Sequence, residues 1–177
     1  LTAGVSAVFG GNVTKFETLS VAYAAGANTT SVTVHDNMTA AGATLTVSAS
    51  AENNSADVFN FNGTAELDGL FNITGSAGDD SISGGLQADT ISGGNGADII
   101  LGGGGADVLT GGNGIDTITG GAGADTISLT ESVASADYVK FTSNLFTEAG
   151  DTITGFNANT GADVIEFSNS VVTTGNT

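Results

Sequence analysis

The sequence contains no cysteine, so disulfides and thiolate metal sites are excluded. It has no proline and no tryptophan, and aromatic residues make up only 6% of it. Positive charge is almost missing: Lys15 and Lys140 stand against 19 acidic residues, for a formal net charge of −17. Without a basic patch to release counterions from phosphate, nucleic acid and anionic membrane surfaces are not expected partners. No apolar stretch is long enough to span a membrane, so no membrane insertion is expected. The single histidine, His35, ends a predicted strand beside a turn in Thr33-Val34-His35-Asp36-Asn37. A hydrolase triad needs a histidine base, and the HExxH zinc motif needs two histidines. His35 reads as an exposed residue, and no enzymatic activity is expected.

What is abundant is glycine, 28 residues of it, and it is not spread evenly. From Gly75 to Ser128 the chain reads in register as GSAGDDSIS, GGLQADTIS, GGNGADIIL, GGGGADVLT, GGNGIDTIT and GGAGADTIS. Glycine fills the first place at Gly75, Gly84, Gly93, Gly102, Gly111 and Gly120. It fills the second at Gly85, Gly94, Gly103, Gly112 and Gly121, and the fourth at Gly78, Gly96, Gly105, Gly114 and Gly123. The sixth place is always an acid (Asp80, Asp89, Asp98, Asp107, Asp116, Asp125), and the eighth a large aliphatic.

Glycines at these places permit φ > 0 and a sharp turn that leaves carbonyl oxygens on its concave side, where the following Asp adds carboxylate oxygens. Such hard oxygen donors, needed in sets of about 6–8, suit Ca²⁺. One turn offers too few, so two turns must share an ion. The last three places form a short strand whose eighth-place aliphatic faces inward. Two units then complete a coil, coils stack as parallel sheets about an aliphatic core, and turns n and n+2 become neighbours. A flexible glycine linker has no reason to keep an acid and an aliphatic in phase through six units.

This array resembles the RTX (repeats-in-toxin) calcium-binding family. The resemblance implies an all-β fold, a parallel β-roll with Ca²⁺ held between alternate turns. One row of sites would use Asp80, Asp98 and Asp116, and the other Asp89, Asp107 and Asp125. Ser76 in unit one and Leu86 with Gln87 in unit two depart from the pattern, which makes the site served by Asp89 the weakest expected. About four ions between the turns would offset about half of the net charge.

The flanks divide the chain into a β-strand-rich region over 1–74, the roll over 75–128 and an irregular continuation with a C-terminal cap over 129–177. KFETLSVAY, TSVTVHD, ATLTVSASA and DVFNFNG alternate apolar and polar residues and read as strands of a thin solenoid or sandwich. Phe16-Glu17-Thr18-Leu19-Ser20-Val21 resembles a segment of bacterial surface-layer proteins that carry RTX repeats. Downstream, Asp137-Tyr138-Val139, Asp151-Thr152-Ile153 and Asp163-Val164-Ile165 keep the acid and the apolar place. The run from Asp151 to Ser168 resembles the closing strands of RTX domains in secreted proteases and lipases, and would cap the roll. Residues 134–141 read as strand. The acids Glu131, Asp137, Glu148 and Asp151 read as solvated residues more readily than as one further calcium site.

Thr117, Thr119, Thr126 and Ser128 suggest a flat hydroxyl face, for which solvated strand residues are the ordinary reading. Six Asn-x-Ser/Thr triplets precede the array, at Asn12, Asn28, Asn37, Asn53, Asn62 and Asn72. The chain opens at Leu1 without an initiator Met, as expected of a processed product, a repeat unit or a fragment. The expected function is that of a secreted or cell-surface calcium-binding structural protein, such as a surface-layer or filament component that forms a homo-oligomer or polymer. The alternative is an RTX folding and export domain of a larger secreted enzyme, adhesin or toxin; RTX proteins usually leave the cell by type I secretion.

Overall fold

A computed structural model describes residues 5–8, 18–20, 29–36, 39–50, 53–142, 150–159 and 161–167. Every regular element among them is a β-strand. In chain order these are β1 (Val5–Val8), β2 (Thr18–Ser20), β3 (Thr29–His35), β4 (Thr44–Ser48), β5 (Val58–Ala65), β6 (Leu70–Thr74), β7 (Ser81–Ser83) and β8 (Thr90–Asn95). They continue with β9 (Ile99–Gly104), β10 (Val108–Asn113), β11 (Thr117–Ala122), β12 (Thr126–Ser128), β13 (Tyr138–Phe141), β14 (Thr152–Thr154) and β15 (Val164–Phe167).

The odd strands form one 8-stranded sheet and the even strands one 7-stranded sheet, each stacked in sequence order. All pairings are parallel. Each coil therefore contributes one strand to each sheet, the arrangement of a parallel β-roll. Within the array the register advances by one coil of two units, so that Ile82 pairs with Ile100, Ile100 with Ile118, and Leu109 with both Ile91 and Ile127.

Alternation along each strand puts one set of side chains between the sheets. In the array that set is a single aliphatic per strand: Ile82, Ile91, Ile100, Leu109, Ile118 and Ile127 are each 0–1% exposed. The next inward place is the first glycine of the following unit, so the core there is narrow. Upstream, β3, β4, β5 and β6 each carry two inward hydrophobic residues. Val32 and Val34, Leu45 and Val47, Phe59 and Phe61, and Phe71 and Ile73 are all buried. Phe61 meets Phe59 at 6.3 Å and, edge to face, Phe71 at 5.1 Å between ring centroids. The described strands of 1–74 thus belong to a solenoid rather than a sandwich, and they continue the same two sheets as the array.

Several expectations on the flanks are sharpened. In 134–141 only Tyr138–Phe141 is strand. The run expected to cap the roll adds one more coil: β14 pairs with β12, and β15 with β13. Phe141 stacks on Phe167 at 5.2 Å, and Lys140 pairs with Glu166 at 3.6 Å. β15 leaves Phe167, Ile165 and Val164 exposed at the sheet's last described edge. The hydroxyl face is interrupted, because the exposed Ile99 and Val108 lie beside Thr117 and Thr126. His35 is exposed at the end of β3, as expected. Of the surface-layer-like segment only Thr18–Ser20 lies within the described residues, and Glu148 and Ser168 lie outside them.

One inward side chain per strand makes each of them costly to trim. Ile127→Ala should lower the stability of the folded chain by about 2–5 kcal/mol, and Thr126→Ala, its exposed neighbour, by no more than about 0.5 kcal/mol. Denaturant unfolding of the two variants in calcium checks this, and equal losses would contradict the assigned faces.

Candidate metal centre

The turns that lead into the strands stack along the two edges of the roll. Asp80, Asp98 and Asp116 precede β7, β9 and β11 on one edge, and Asp89, Asp107 and Asp125 precede β8, β10 and β12 on the other. All six, expected from sequence as paired rows, are 0–2% exposed. Each row is a ladder in which a carboxylate accepts a hydrogen bond from a backbone N–H of the preceding coil. Asp98 Oδ1 accepts from Asp80 N–H and Asp116 Oδ1 from Asp98 N–H, each at 2.9 Å. On the other edge Asp107 Oδ1 accepts from Asp89 N–H and Asp125 Oδ1 from Asp107 N–H, each at 2.8 Å.

The ladders run past the array at both ends. Phe59 N–H donates to Asp80 Oδ1 and Phe71 N–H to Asp89 Oδ1, each at 2.7 Å. Asp137 accepts from Asp116 N–H at 2.9 Å, Asp163 from Asp137 N–H at 3.1 Å, and Asp151 from Asp125 N–H at 2.9 Å. Asp137 is 1% exposed. Asp137 and Asp151 are therefore not the solvated residues favoured by the sequence reading. The signal was the acid two places before an apolar residue, which survives although the coil lengthens from 18 residues to 21 and 26. Glu131 accepts from Ser135 N–H and Oγ in its own loop and, at 3.4 Å, from Gly114 N–H of the array.

The second oxygen separates the units. In unit one, Ser76 N–H donates to Asp80 Oδ2 at 2.5 Å and Ser76 Oγ to Oδ1 at 2.6 Å. In unit two, Gly85 N–H donates to Asp89 Oδ2 at 2.8 Å. From unit three onward the second and fourth glycines take left-handed backbone, as at Gly94 (φ 121) and Gly96 (φ 111). In those units Oδ2 of Asp98, Asp107 and Asp116 is buried with no hydrogen-bond partner, and so is Oδ2 of Asp137. Gly78 and Gly85 are not left-handed, so the departure from the pattern covers both opening units and not the Asp89 turn alone.

The first glycine of a unit serves space rather than φ, contrary to expectation. A methyl group at Gly93 would meet Asp98 Oδ2 and, at 2.6 Å, the carbonyl oxygen of Gly111 two units on. At Gly102 it would meet Asp107 Oδ2 and, again at 2.6 Å, the Gly120 carbonyl. A carboxylate oxygen of one turn and a carbonyl oxygen of turn n+2 thus converge on the same small space. The same pair of oxygens meets the Cβ position at Gly75, with Asp80 Oδ2 and the Gly93 carbonyl, and at Gly84, with Asp89 Oδ2 and the Gly102 carbonyl.

Burial raises the pKa values of these carboxyl groups. Desolvation, with the charges of Asp116, Asp80 and Asp79 adding to it, pushes Asp98 up to about 8. Desolvation likewise pushes Asp107 and Asp116 to about 7 and Asp89 to about 6, and raises Asp80 and Asp137. Orphaned carboxylate oxygens, converging carbonyls and no cationic side chain at the turns form a donor set that fits a hard divalent cation. Asp98, Asp107 and Asp116 would hold it, together with glycine carbonyls of the adjoining turns. Bound there, calcium supplies the positive charge that the ladders lack.

The fold and these ladders define a parallel β-roll with carboxylate columns at both edges. The sequence model of the RTX calcium-binding nonapeptide repeat, in four copies, matches residues 72–100 and 101–130. The match covers the array and leaves both flanks outside it. No curated protein and no solved structure matches the chain.

Two outcomes follow from the second oxygens. Asp107→Asn should raise the midpoint of a calcium titration at least about tenfold, a loss of about 1.4 kcal/mol, while Asp89→Asn should change it by less than about twofold. Equal shifts, read by circular dichroism, would contradict the distinction between these turns. The pH response follows from the raised values: between about 3.8 and 8 the folded, metal-free roll binds more protons than the unfolded chain. Its stability is therefore greatest at the acid end and falls as pH rises through about 7–8. In calcium-free buffer, β signal should grow on acidification from pH 8 to pH 5, and a loss would show that the carboxylates are stabilised as anions by the protein alone.

Proposed function

We propose that the chain is a secreted structural component of a bacterial cell surface, a surface-layer or filament subunit whose folding and assembly are driven by calcium. The observation that carries the reading is the pair of buried carboxylate columns without protein cations. Cytosolic calcium is too dilute to fill sites with dissociation constants of about 10⁻⁴ M, whereas about 1 mM outside the cell adds roughly 1.4 kcal/mol per site. The array is then unfolded before export and folded after it, which suits passage through an export channel.

A structural rather than catalytic role is supported by continuity. The two sheets run from β1 to β15 and end in strands with unpaired edges among the described residues. An open solenoid edge pairs with another chain unless it is covered, and head-to-tail pairing that does not close gives filaments or lattices. β1 is such an edge, bonded to β3 on one side. The exposed Phe167 and Ile165 of β15 lie at the opposite end of the same sheet. The alternative, a folding and export domain of a larger secreted enzyme, adhesin or toxin, draws on the repeat match being confined to the array.

Assembly separates the two. At millimolar Ca²⁺ the intact chain should scatter light and form ordered sheets or filaments in electron micrographs, and removal of residues 1–9 should abolish this. Dispersed monomers in both preparations would favour the export-domain reading, and equal assembly of both would refute docking through the N-terminal edge.

A further inference from the structure

Outside the array, two turns bring three acids together. Asp36 follows β3, and Glu66 and Asp68 lie between β5 and β6; one carboxylate oxygen from each is within 4.8 Å of the others. The cluster is graded in depth: Glu66 is 0% exposed, Asp36 half-buried and Asp68 exposed. Glu66 Oε1 accepts from Gly69 N–H at 3.1 Å and the backbone of Asp68 and Thr39 lies against the same carboxylate, but Oε2 is buried with no donor in hydrogen-bond geometry. Beside it Thr39, 2% exposed, also has a buried hydroxyl with no partner. Thr39 packs so closely on Gly69 that a methyl group there would strike its side chain. Lys140, the only described Lys or Arg, is paired with Glu166.

The surroundings hold these groups in place. Gly42 N–H donates to Asp68 O at 2.8 Å, joining the two turns. From the next coil Leu86 N–H donates to Glu66 O at 3.3 Å, and Gln87 Nε2 to Leu67 O at 2.9 Å. The two residues that break the repeat pattern in unit two are thus the ones that clamp this turn. Three acids drawn together around a buried carboxylate oxygen repel one another unless one keeps its proton or a cation sits among them. Carboxylate and hydroxyl oxygens with no His or Cys select a hard ion, and unequal depth with an open outer side suits the flexible, partly hydrated shell of calcium.

We propose that Asp36, Glu66 and Asp68, with the Thr39 hydroxyl, form a calcium site distinct from the array, next to the Asp89 end of its column. Its donors are side chains from two turns, with no left-handed glycine involved, and it does not depend on how the nonapeptide turns bind ions.

The test counts calcium bound to the full chain by native mass spectrometry and isothermal titration at millimolar Ca²⁺. Glu66→Gln and Asp68→Asn should each bind one ion fewer than the parent, with β content retained over the array. Asp107→Asn should lose array calcium and keep this ion. An unchanged count in Asp68→Asn overturns the proposal even if Glu66→Gln fails to fold, because Asp68 is exposed and its replacement leaves the interior intact. Failure of the array reading is separately visible, as a parent and an Asp107→Asn variant with equal counts while Asp68→Asn still loses one. Loss of the ion to a tenfold excess of Mg²⁺ would also overturn the assignment to calcium.

Discussion

A buried carboxylate has two oxygens, and in the centre of this roll the protein provides a donor for only one of them. The backbone N–H of the aspartate one coil below takes Oδ1, which sets the 18-residue step of the ladder. Oδ2 is left facing the first glycine of its own turn and the carbonyl of the turn two units ahead. Leaving such an oxygen unpaired and charged in the interior is strongly unfavourable, so the group either keeps its proton or finds a cation. Desolvation raises the pKa values all along the ladders, and the unpaired oxygen adds the fit to calcium where no second donor exists.

The same constraint explains the glycines in two different ways. At the second and fourth places of units three to six the backbone is left-handed, which a side chain would oppose. At the first place there is no strain in φ, only no room: the oxygens that define the site already occupy the position of a Cβ. Ser76 shows what an ordinary residue does instead. Its N–H and hydroxyl satisfy both oxygens of Asp80 and remove the need that characterises Asp98, Asp107 and Asp116.

Periodicity makes the roll legible in the sequence, because an acid and an aliphatic in fixed phase admit few other structures. The paired rows of aspartates followed from it and are found as expected. Less legible were the ladder positions of Asp137 and Asp151, since the intervening loops lengthen the coil and hide the phase. What persisted there was local, an acid two places before an apolar residue. The Asp36, Glu66 and Asp68 cluster had no sequence signal at all, because its members lie in different turns and meet only through stacking. Unequal use of the second oxygen was hidden too, as it depends on whether a neighbouring N–H points inward.

Stability is therefore supplied differently along one continuous solenoid. Upstream, two inward hydrophobic residues on each of β3, β4, β5 and β6 and the Phe59, Phe61 and Phe71 cluster bury enough apolar surface to hold coils together by packing. In the array one aliphatic per strand leaves less to gain, and the backbone of its glycines has more freedom to lose. Folding free energy there must come from the edges, where the carboxylates are. Packing in the first half gives the second half a template, because β5 and β6 present ready edges to β7 and β8. On the proposed function, calcium would have to order only the coils that add to an existing end, a step that avoids nucleating a roll from a disordered glycine-rich chain.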